Sequence, residues 1–251
     1  MFRPRVIPVL LLKDSALVKS VRFRDQKYIG DPINAVRIFN ELRADELVFL
    51  DTQASRESRL ISLDFVRDVG EEARMPFAVG GGIRSLSDIR KVIAAGAEKV
   101  VINTQAASDP EFIRAAADEF ASSTIVVCID VKRKLFKGEV AWMLGGTRPT
   151  RFSPVEFACL MQEMGAGELI VQSIERDGTM KGYDIELIKK VSSAVTIPVI
   201  ALGGAGGKND LVEAYTEGNA NALAAGSMFV YQDERRGVLI NYPERGELVF
   251  R

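Results

Sequence analysis

The chain contains the same kind of segment twice, at an offset of 122 residues, which is the separation of Pro76 from Pro198. The two copies read PFAVGGGIRSLSDIRKVIAAGAEKVVINT (76–104) and PVIALGGAGGKNDLVEAYTEGNANALAAGS (198–227). Each has the pattern of an apolar strand, a Gly-rich turn, a helix and a second apolar strand. The same offset aligns ADELVFLD (44–51) with AGELIVQS (166–173). The chain therefore has to fold into two similar halves.

Eight short apolar runs predict strands, and their continuous rather than alternating character is typical of parallel strands that are covered by helices. They are residues 6–11, 46–50, 77–80, 99–102, 125–129, 168–172, 199–202 and 222–225. Amphipathic helices are predicted between them at 56–72, 86–95, 110–120, 185–193 and 208–217. Two more helices begin where a capping residue precedes proline, at Asp31-Pro32 and Ser153-Pro154.

Eightfold strand–helix alternation predicts an α/β fold, a single (β/α)8 TIM barrel built from half-barrels at about 1–123 and 124–251. An open doubly wound sheet is the alternative, and the strand count and the duplication disfavour it. Two long loops, 12–30 and 131–152, are predicted at the C-terminal ends of strands. After Phe229 no eighth helix is evident, and 237–243 reads as an extended segment.

Composition narrows the class of protein. The 33 basic and 34 acidic residues give a net charge of −1, so no nucleic-acid surface is expected, and no apolar run reaches the length of a membrane helix. Cys128 and Cys159 lie in apolar surroundings and are predicted to be buried free thiols, which suits the cytoplasm. The chain has no histidine. Acid–base chemistry must therefore use Asp, Glu, Lys or Tyr, and we expect no metal and no cofactor.

Glycine-rich turns follow strands three and seven, and small polar turns follow strands four and eight. Glycine lets the backbone approach a ligand, and free N–H groups at such turns attract anions. The alternative is that these glycines only permit tight turns, but a symmetric pair of sites favours a long ligand with a phosphate at each end. The turns are Gly81-Gly82, Asn103-Thr104, Gly203-Gly204 and Gly226-Ser227.

Carboxylates stand at the C-terminal ends of predicted strands, where barrels carry their chemistry. Asp130 ends the otherwise apolar run VVCID and is the best candidate for an acid–base residue. Asp51 and Asp177 are candidates too, although a helix cap or a loop salt bridge would also explain them. Leu11 stands where a carboxylate opposite Asp130 would be expected. Four further charged residues stand at strand starts and predict a ring of charges at the bottom of the barrel. The alternative is that they only form stabilising ion pairs. They are Arg5, Glu46, Lys99 and Glu168.

Nearly the whole chain resembles the HisF family, the cyclase subunits of imidazole glycerol phosphate synthase. The resemblance runs in order through RVIPVL, DELVFLD, VGGGIRS, KVVINT, ERDGTMKGYD, ALGGAG and AAGSMF. In that family a glutaminase docks on the bottom face, and ammonia passes along the barrel to a bisphosphorylated substrate at the top. The resemblance implies a HisH-like glutaminase partner and an ammonia gate formed by Arg5, Glu46, Lys99 and Glu168.

The resemblance also assigns site residues. It makes Asp130 one catalytic acid–base residue. If the chain works as a cyclase, Asp130 acts alone or with Asp51 or Lys19 in support. It implies phosphate contacts at Gly82, Asn103, Thr104, Gly204 and Ser227. The neighbouring Gly81, Asp177, Gly178, Gly203 and Gly226 are predicted to belong to the same phosphate sites.

One motif departs from the family. The family pattern IPCLDVKDG reads IPVLLLKDS here, so that Leu11 replaces an aspartate and Ser15 a glycine, while Lys19 is kept. This combination is similar to HisF-like proteins of the WbuZ type, which supply ammonia to a separate sugar amidotransferase in surface-polysaccharide biosynthesis. Three hypotheses follow: an ammonia-delivering subunit for glycosyl amidation, a working cyclase–lyase, and a non-catalytic scaffold that senses a bisphosphorylated or nucleotide-sugar ligand.

Overall fold

The structure is a computed structural model that describes residues 3–232, 237–244 and 246–250. The described residues form twelve strands: β1 (Arg5–Lys13), β2 (Ala16–Val21), β3 (Arg24–Gly30), β4 (Leu47–Asp51), β5 (Phe77–Gly80), β6 (Lys99–Ile102), β7 (Ile125–Lys134), β8 (Gly138–Met143), β9 (Arg148–Pro149), β10 (Glu168–Ser173), β11 (Val199–Leu202) and β12 (Ala222–Ala225). They also form eight α-helices: α1 (Pro32–Glu41), α2 (Leu63–Glu72), α3 (Leu86–Ala94), α4 (Thr104–Ser108), α5 (Glu111–Phe120), α6 (Pro154–Glu163), α7 (Ile185–Ser192) and α8 (Lys208–Thr216).

Eight parallel strands close into a barrel in the order β1, β4, β5, β6, β7, β10, β11, β12, and β12 pairs with β1. The predicted (β/α)8 TIM barrel is thus confirmed. Each predicted strand begins within two residues of the first residue of an observed barrel strand. The half-barrel boundaries remain a prediction, and their outermost residues 1, 2 and 251 lie outside the described residues.

Alternation along each strand divides the side chains between two apolar layers. In β1, Val6, Leu10 and Leu12 pack outward against the helices, whereas Ile7 and Val9 belong to the barrel interior. Leu11 packs against this interior cluster as well. The alternation in β7 is the same, so that Cys128 and Asp130 face the barrel axis.

The predicted loops 12–30 and 131–152 are β-hairpins instead. β1 and β7 run past the barrel lip and pair antiparallel with β2 and β8, and β3 and β9 extend these ribbons. The turns at Asp14-Ser15 and Arg22-Phe23 each have two residues with positive φ, the geometry that matches the twist of a two-residue hairpin. The two hairpins follow equivalent strands of the two halves and stand over one mouth.

Helix boundaries agree with prediction except in one case. The helix predicted at 56–72 begins only at Leu63, because the Ser62 hydroxyl accepts from the Phe65 N–H and caps it there, and a turn precedes it. Asp31 and Ser153 cap α1 and α6 as predicted. α4 is an additional short helix.

Two further expectations had different outcomes. The segment 237–243 is extended: Val238 bridges to Tyr231, and the Tyr242 hydroxyl donates to the Val6 carbonyl. Cys128 is buried, but Cys159 is exposed, because it lies on the face of α6 turned away from Phe157 and Met161. No helix among the described residues is long and apolar enough to cross a membrane.

Candidate functional site

The C-terminal ends of the barrel strands surround a mouth with two cavities. The first, of about 180 Å³, contains Asp51, Gly81, Gly82, Asn103, Thr104 and Asp130 in its lining. The second, of about 20 Å³, is lined among others by Lys19, Asp177, Gly178, Gly203, Gly204, Gly226 and Ser227. Leu11, Ser20 and Gln172 line both cavities and separate them. The structure therefore brings the predicted mouth residues together in two groups, which follow the two half-barrels except that Asp130 lies in the first group and Lys19 in the second.

Lys19 reaches the second cavity from β2. Its ammonium donates to the Val9 carbonyl at 2.5 Å, and the residue is only 5 % exposed. Burial lowers the pKa of Lys19 to about 8, and the nearby Asp177 carboxylate opposes that shift. A Cβ at Gly226 would lie 2.6 Å from the Lys19 Nζ. Glycine at position 226 is what lets the ammonium approach the backbone.

Asp177 fastens the β2–β3 hairpin to the barrel. One carboxylate oxygen accepts from the Ser20 hydroxyl at 3.2 Å and from the Phe23 N–H at 3.4 Å, and the other accepts from the Gln172 amide at 3.3 Å. The Asp177 carbonyl also accepts from the Arg22 N–H at 2.9 Å. Burial raises the pKa of Asp177 despite these hydrogen bonds.

Asp130 is a buried carboxylate in an apolar strand. Burial raises its pKa to about 7; the hydrogen bond from the Cys128 thiol at 3.4 Å lowers the pKa and the charge of Asp177 raises it. At neutral pH such a group is present in both protonation states, which is the property that general acid–base catalysis requires.

No carboxylate stands opposite Asp130 on β1. Leu11 lies there, faces the axis together with Asp130, and packs with Leu50 against the interior cluster. A leucine cannot exchange a proton, so the described site lacks a carboxylate opposite Asp130.

Asp51 is engaged at the edge of the first cavity. Its carboxylate pairs with Arg59 at 2.6 Å and accepts from the N–H groups of Gln53 and Ala54 at 3.0 and 3.1 Å. These contacts hold the turn between β4 and α2. The alternative role that the sequence allowed for Asp51, a salt bridge and cap, is thus present, and a catalytic role would require these contacts to open.

The glycine turns are demanded by the fold itself. Gly82 has φ +67°, and a Cβ there would lie 1.7 Å from the Arg59 carbonyl oxygen. A Cβ at Gly204 would lie 2.2 Å from the Gly182 carbonyl oxygen. Phosphate binding at these turns stays a prediction, because close backbone packing alone accounts for glycine.

Asn103 and Thr104 bind the second hairpin. The Asn103 amide donates to the Cys128 and Trp142 carbonyls at 2.9 and 3.1 Å, and the Thr104 hydroxyl accepts from the Leu144 N–H at 3.1 Å. These side chains therefore position the hairpin over the mouth.

At the opposite end of the barrel the four charges at the strand starts form a closed ring. Arg5 contacts Glu46 and lies 2.6 Å from Glu168, while Lys99 lies 3.1 Å from each of these two acids. Each acid thus touches both bases. The predicted ring of charges is present.

Sequence reasoning missed several mouth residues. Arg56 and Arg84 line the first cavity, and Arg59 holds Asp51. The sequence signal for these arginines is weak, because an arginine in a βα turn does not by itself predict a site residue. Gln172 could have been found, because the 122-residue offset places it opposite the apolar Leu50.

The sequence matches the family described as histidine biosynthesis protein over residues 5–235. The chain belongs to the HisF family. It is 45 % identical over 248 residues, 99 % of both chains, to a Pseudomonas aeruginosa protein named "Putative imidazole glycerol phosphate synthase subunit hisF2". A Leptospira borgpetersenii HisF protein with a similarly qualified name is 43 % identical over 97 % of this chain and 96 % of its own. Imidazole glycerol phosphate synthase subunit HisF of Alkaliphilus metalliredigens is 43 % identical over 93 % and 92 %.

Proposed function

We propose that this HisF-family barrel receives ammonia from a HisH-like glutaminase and supports glycosyl amidation in surface-polysaccharide biosynthesis in the cytoplasm. The observation that carries the proposal is a contrast between the two ends of the barrel. The ring of Arg5, Glu46, Lys99 and Glu168 is complete, whereas the mouth has Leu11 in place of one of two carboxylates.

The glutaminase docks at the ring, and ammonia moves from there toward the mouth. Between ring and mouth the barrel interior is apolar, which favours passage of neutral ammonia over the charged ammonium ion. Its buried side chains are Ile7, Val9, Val48, Ala78, Val101, Val126, Cys128, Ile170, Ile200, Leu202, Ala222 and Ala224. Opening the entrance requires Lys99 or Arg5 to leave its carboxylate partners.

At the mouth, ring closure and lyase cleavage would need one group that gives a proton and another that takes it. Asp130 supplies one such group, and Leu11 supplies none. Ammonia that reaches the mouth therefore passes to an acceptor held by a sugar amidotransferase.

A working cyclase is the second candidate, and the two perturbed pKa values favour it. Asp130 near 7 and Lys19 near 8 could act as an acid–base pair without a second aspartate. The relative from Alkaliphilus metalliredigens is named as a synthase subunit. A ligand-sensing scaffold that only activates the glutaminase is the third hypothesis.

The test is a reconstituted mixture of the barrel, a HisH-like glutaminase and a sugar amidotransferase, driven by glutamine or by ammonium salt. We expect Lys99→Met to reduce glutamine-dependent amidation at least about 10-fold while ammonium-dependent amidation stays unchanged. Lys190→Met, which breaks a surface pair with Glu139, is the control. Equal glutamine-dependent rates for Lys99→Met and wild type would refute ammonia transfer through the ring.

A further inference from the structure

The two halves of the mouth are unequal, although the sequence repeat predicts two similar phosphate sites. The second cavity is small, and the buried ammonium of Lys19 lies beside its Gly226. The first cavity is about nine times larger by the volumes of about 180 and 20 Å³, and two exposed arginines, Arg56 and Arg84, line it. The larger cavity is thus the one with arginines in its lining, next to the carboxylates of Asp51 and Asp130.

Both guanidinium groups are held in place by backbone carbonyls. Arg56 donates from Nε to the Leu144 carbonyl at 3.3 Å and from Nη2 to the Gly145 carbonyl at 3.0 Å. Arg84 donates from Nη2 to the Ser58 carbonyl at 2.5 Å. A guanidinium has five N–H donors, so each group keeps donors for a ligand.

The charges of these arginines are not neutralised by a neighbour. Within residues 3–232, 237–244 and 246–250, neither guanidinium has a carboxylate within 4.0 Å. The nearby Arg59 differs, because it pairs with Asp51 and Glu57. Two uncompensated positive charges at one cavity favour a ligand with more negative charge than a single phosphate ester carries.

The repeat shows that these two arginines are specific to the first half. Moving 122 residues along the chain takes Arg56 to Gly178 and Arg84 to Gly206. Both equivalents are glycines, so neither arginine has a counterpart at the equivalent position of the second half. A phosphate site common to both halves would not need the arginines, and their presence in one half indicates an additional anionic group there.

We propose that the first cavity binds a diphosphate group, of the kind that nucleoside diphosphates carry, with one phosphate at the Gly82 turn and the other against Arg56 and Arg84. This inference rests on the phosphate site in the proposed function and names the substrate class of that site. Planar guanidinium groups bind phosphate oxygens in pairs through charge-assisted hydrogen bonds.

The experiment is titration calorimetry of the purified chain with inorganic pyrophosphate and inorganic phosphate at one fixed salt concentration. We expect pyrophosphate to bind at least about 10-fold more tightly than phosphate. Arg56→Gln and Arg84→Gln should each weaken pyrophosphate binding about 10-fold or more and change phosphate binding less than about 3-fold. Arg176→Gln is the matched control: Arg176 is also exposed and donates to the Lys181 carbonyl, but on the second half.

Equal affinity for the two anions, or no binding of either, would overturn the proposal. An equal loss of pyrophosphate and phosphate affinity in the Arg56 and Arg84 variants would also overturn it, because that result would indicate non-specific electrostatic attraction of anions. The assay contains no glutaminase, so its outcome is separate from that of the ring experiment. If the ring variants transfer ammonia normally while pyrophosphate preference holds, the amidation function is wrong and the diphosphate site stands.

Discussion

The Ser20 hydroxyl donates to the Asp177 carboxylate at 3.2 Å and thereby joins β2 to the loop after β10. The same carboxylate oxygen of Asp177 accepts from the Phe23 N–H, and the backbone carbonyl of Asp177 accepts from the Arg22 N–H. One residue of the second half therefore holds a hairpin of the first half across the mouth. Because Lys19 sits on this hairpin, its position at the second cavity depends on Asp177.

We predict that Asp177→Ala releases the hairpin. Loss of its hydrogen bonds should cost about 1–3 kcal/mol of docking free energy. Hydrogen exchange of β2 and β3 amides, measured by mass spectrometry, should speed up by about 10-fold or more while the barrel strands stay protected. Ser153→Ala, which removes the side-chain cap of α6 in the second half of the chain, is the control and should leave β2 and β3 unchanged. Unaltered exchange in Asp177→Ala would show that other contacts hold the hairpin.

Asp130 should make stability depend on pH. Its pKa is about 7 in the folded chain, against about 4 for an exposed aspartate, so between these values the folded state binds a proton that the unfolded state lacks. Stability therefore falls as pH rises from about 4 to about 7, by an amount on the order of 4 kcal/mol. Above pH 7 the penalty is constant.

Asp130→Asn isolates this contribution. Urea unfolding of wild type and variant at several pH values should show the variant gaining relative stability up to pH 7 and no further. Asp64→Asn, at an exposed carboxylate paired with Arg67, is the comparison and should not reproduce the effect of Asp130→Asn. A constant difference between wild type and Asp130→Asn would mean that Asp130 has an ordinary pKa.

Gly82 should be irreplaceable for the fold before any ligand is considered. Gly82→Ala would place a methyl group 1.7 Å from the Arg59 carbonyl oxygen at positive φ, so the turn must move. We expect a loss of several kcal/mol in the free energy of unfolding, of the size seen for strained or overpacked sites. Gly207→Ala is the matched control, since a Cβ there meets nothing within 4 Å. Equal stability of the two variants would argue that the turn adapts freely.

The barrel was predictable because each of its strands is buried on both faces and leaves a continuous apolar run, as in FAVG of β5 and VIAL of β11. The first hairpin was not, because its turns use Asp14-Ser15 and Arg22-Phe23 rather than the glycine-containing pairs that mark such turns. Cys159 was misjudged because α6 is apolar on most of its surface, so periodicity did not separate its faces. The ion pair of Asp51 with Arg59 and the hydrogen bonds from the β2–β3 hairpin to Asp177 are tertiary contacts, which a local sequence pattern does not predict.

Leu11→Asp tests whether the mouth is a cyclase site that lacks one carboxylate. Leu11 faces the axis across from Asp130 and is partly buried, so an aspartate there would line both cavities. We expect the wild type to turn over the phosphoribulosyl-formimino bisphosphate substrate with ammonium salt at a rate at least about 10²-fold below that of Leu11→Asp, the usual effect of one acid–base group. Leu11→Asn, which has the same size without the proton-transfer group, should stay at the wild-type rate. The rate is measured with a spectrophotometric assay. Rapid turnover in the wild type would favour the pair of Asp130 and Lys19 as the catalytic groups, and Lys19→Met should then abolish it.

A gain in turnover for Leu11→Asp alone would instead mean that the wild-type mouth lacks this carboxylate. That result is the expectation for a barrel that delivers its ammonia to another enzyme.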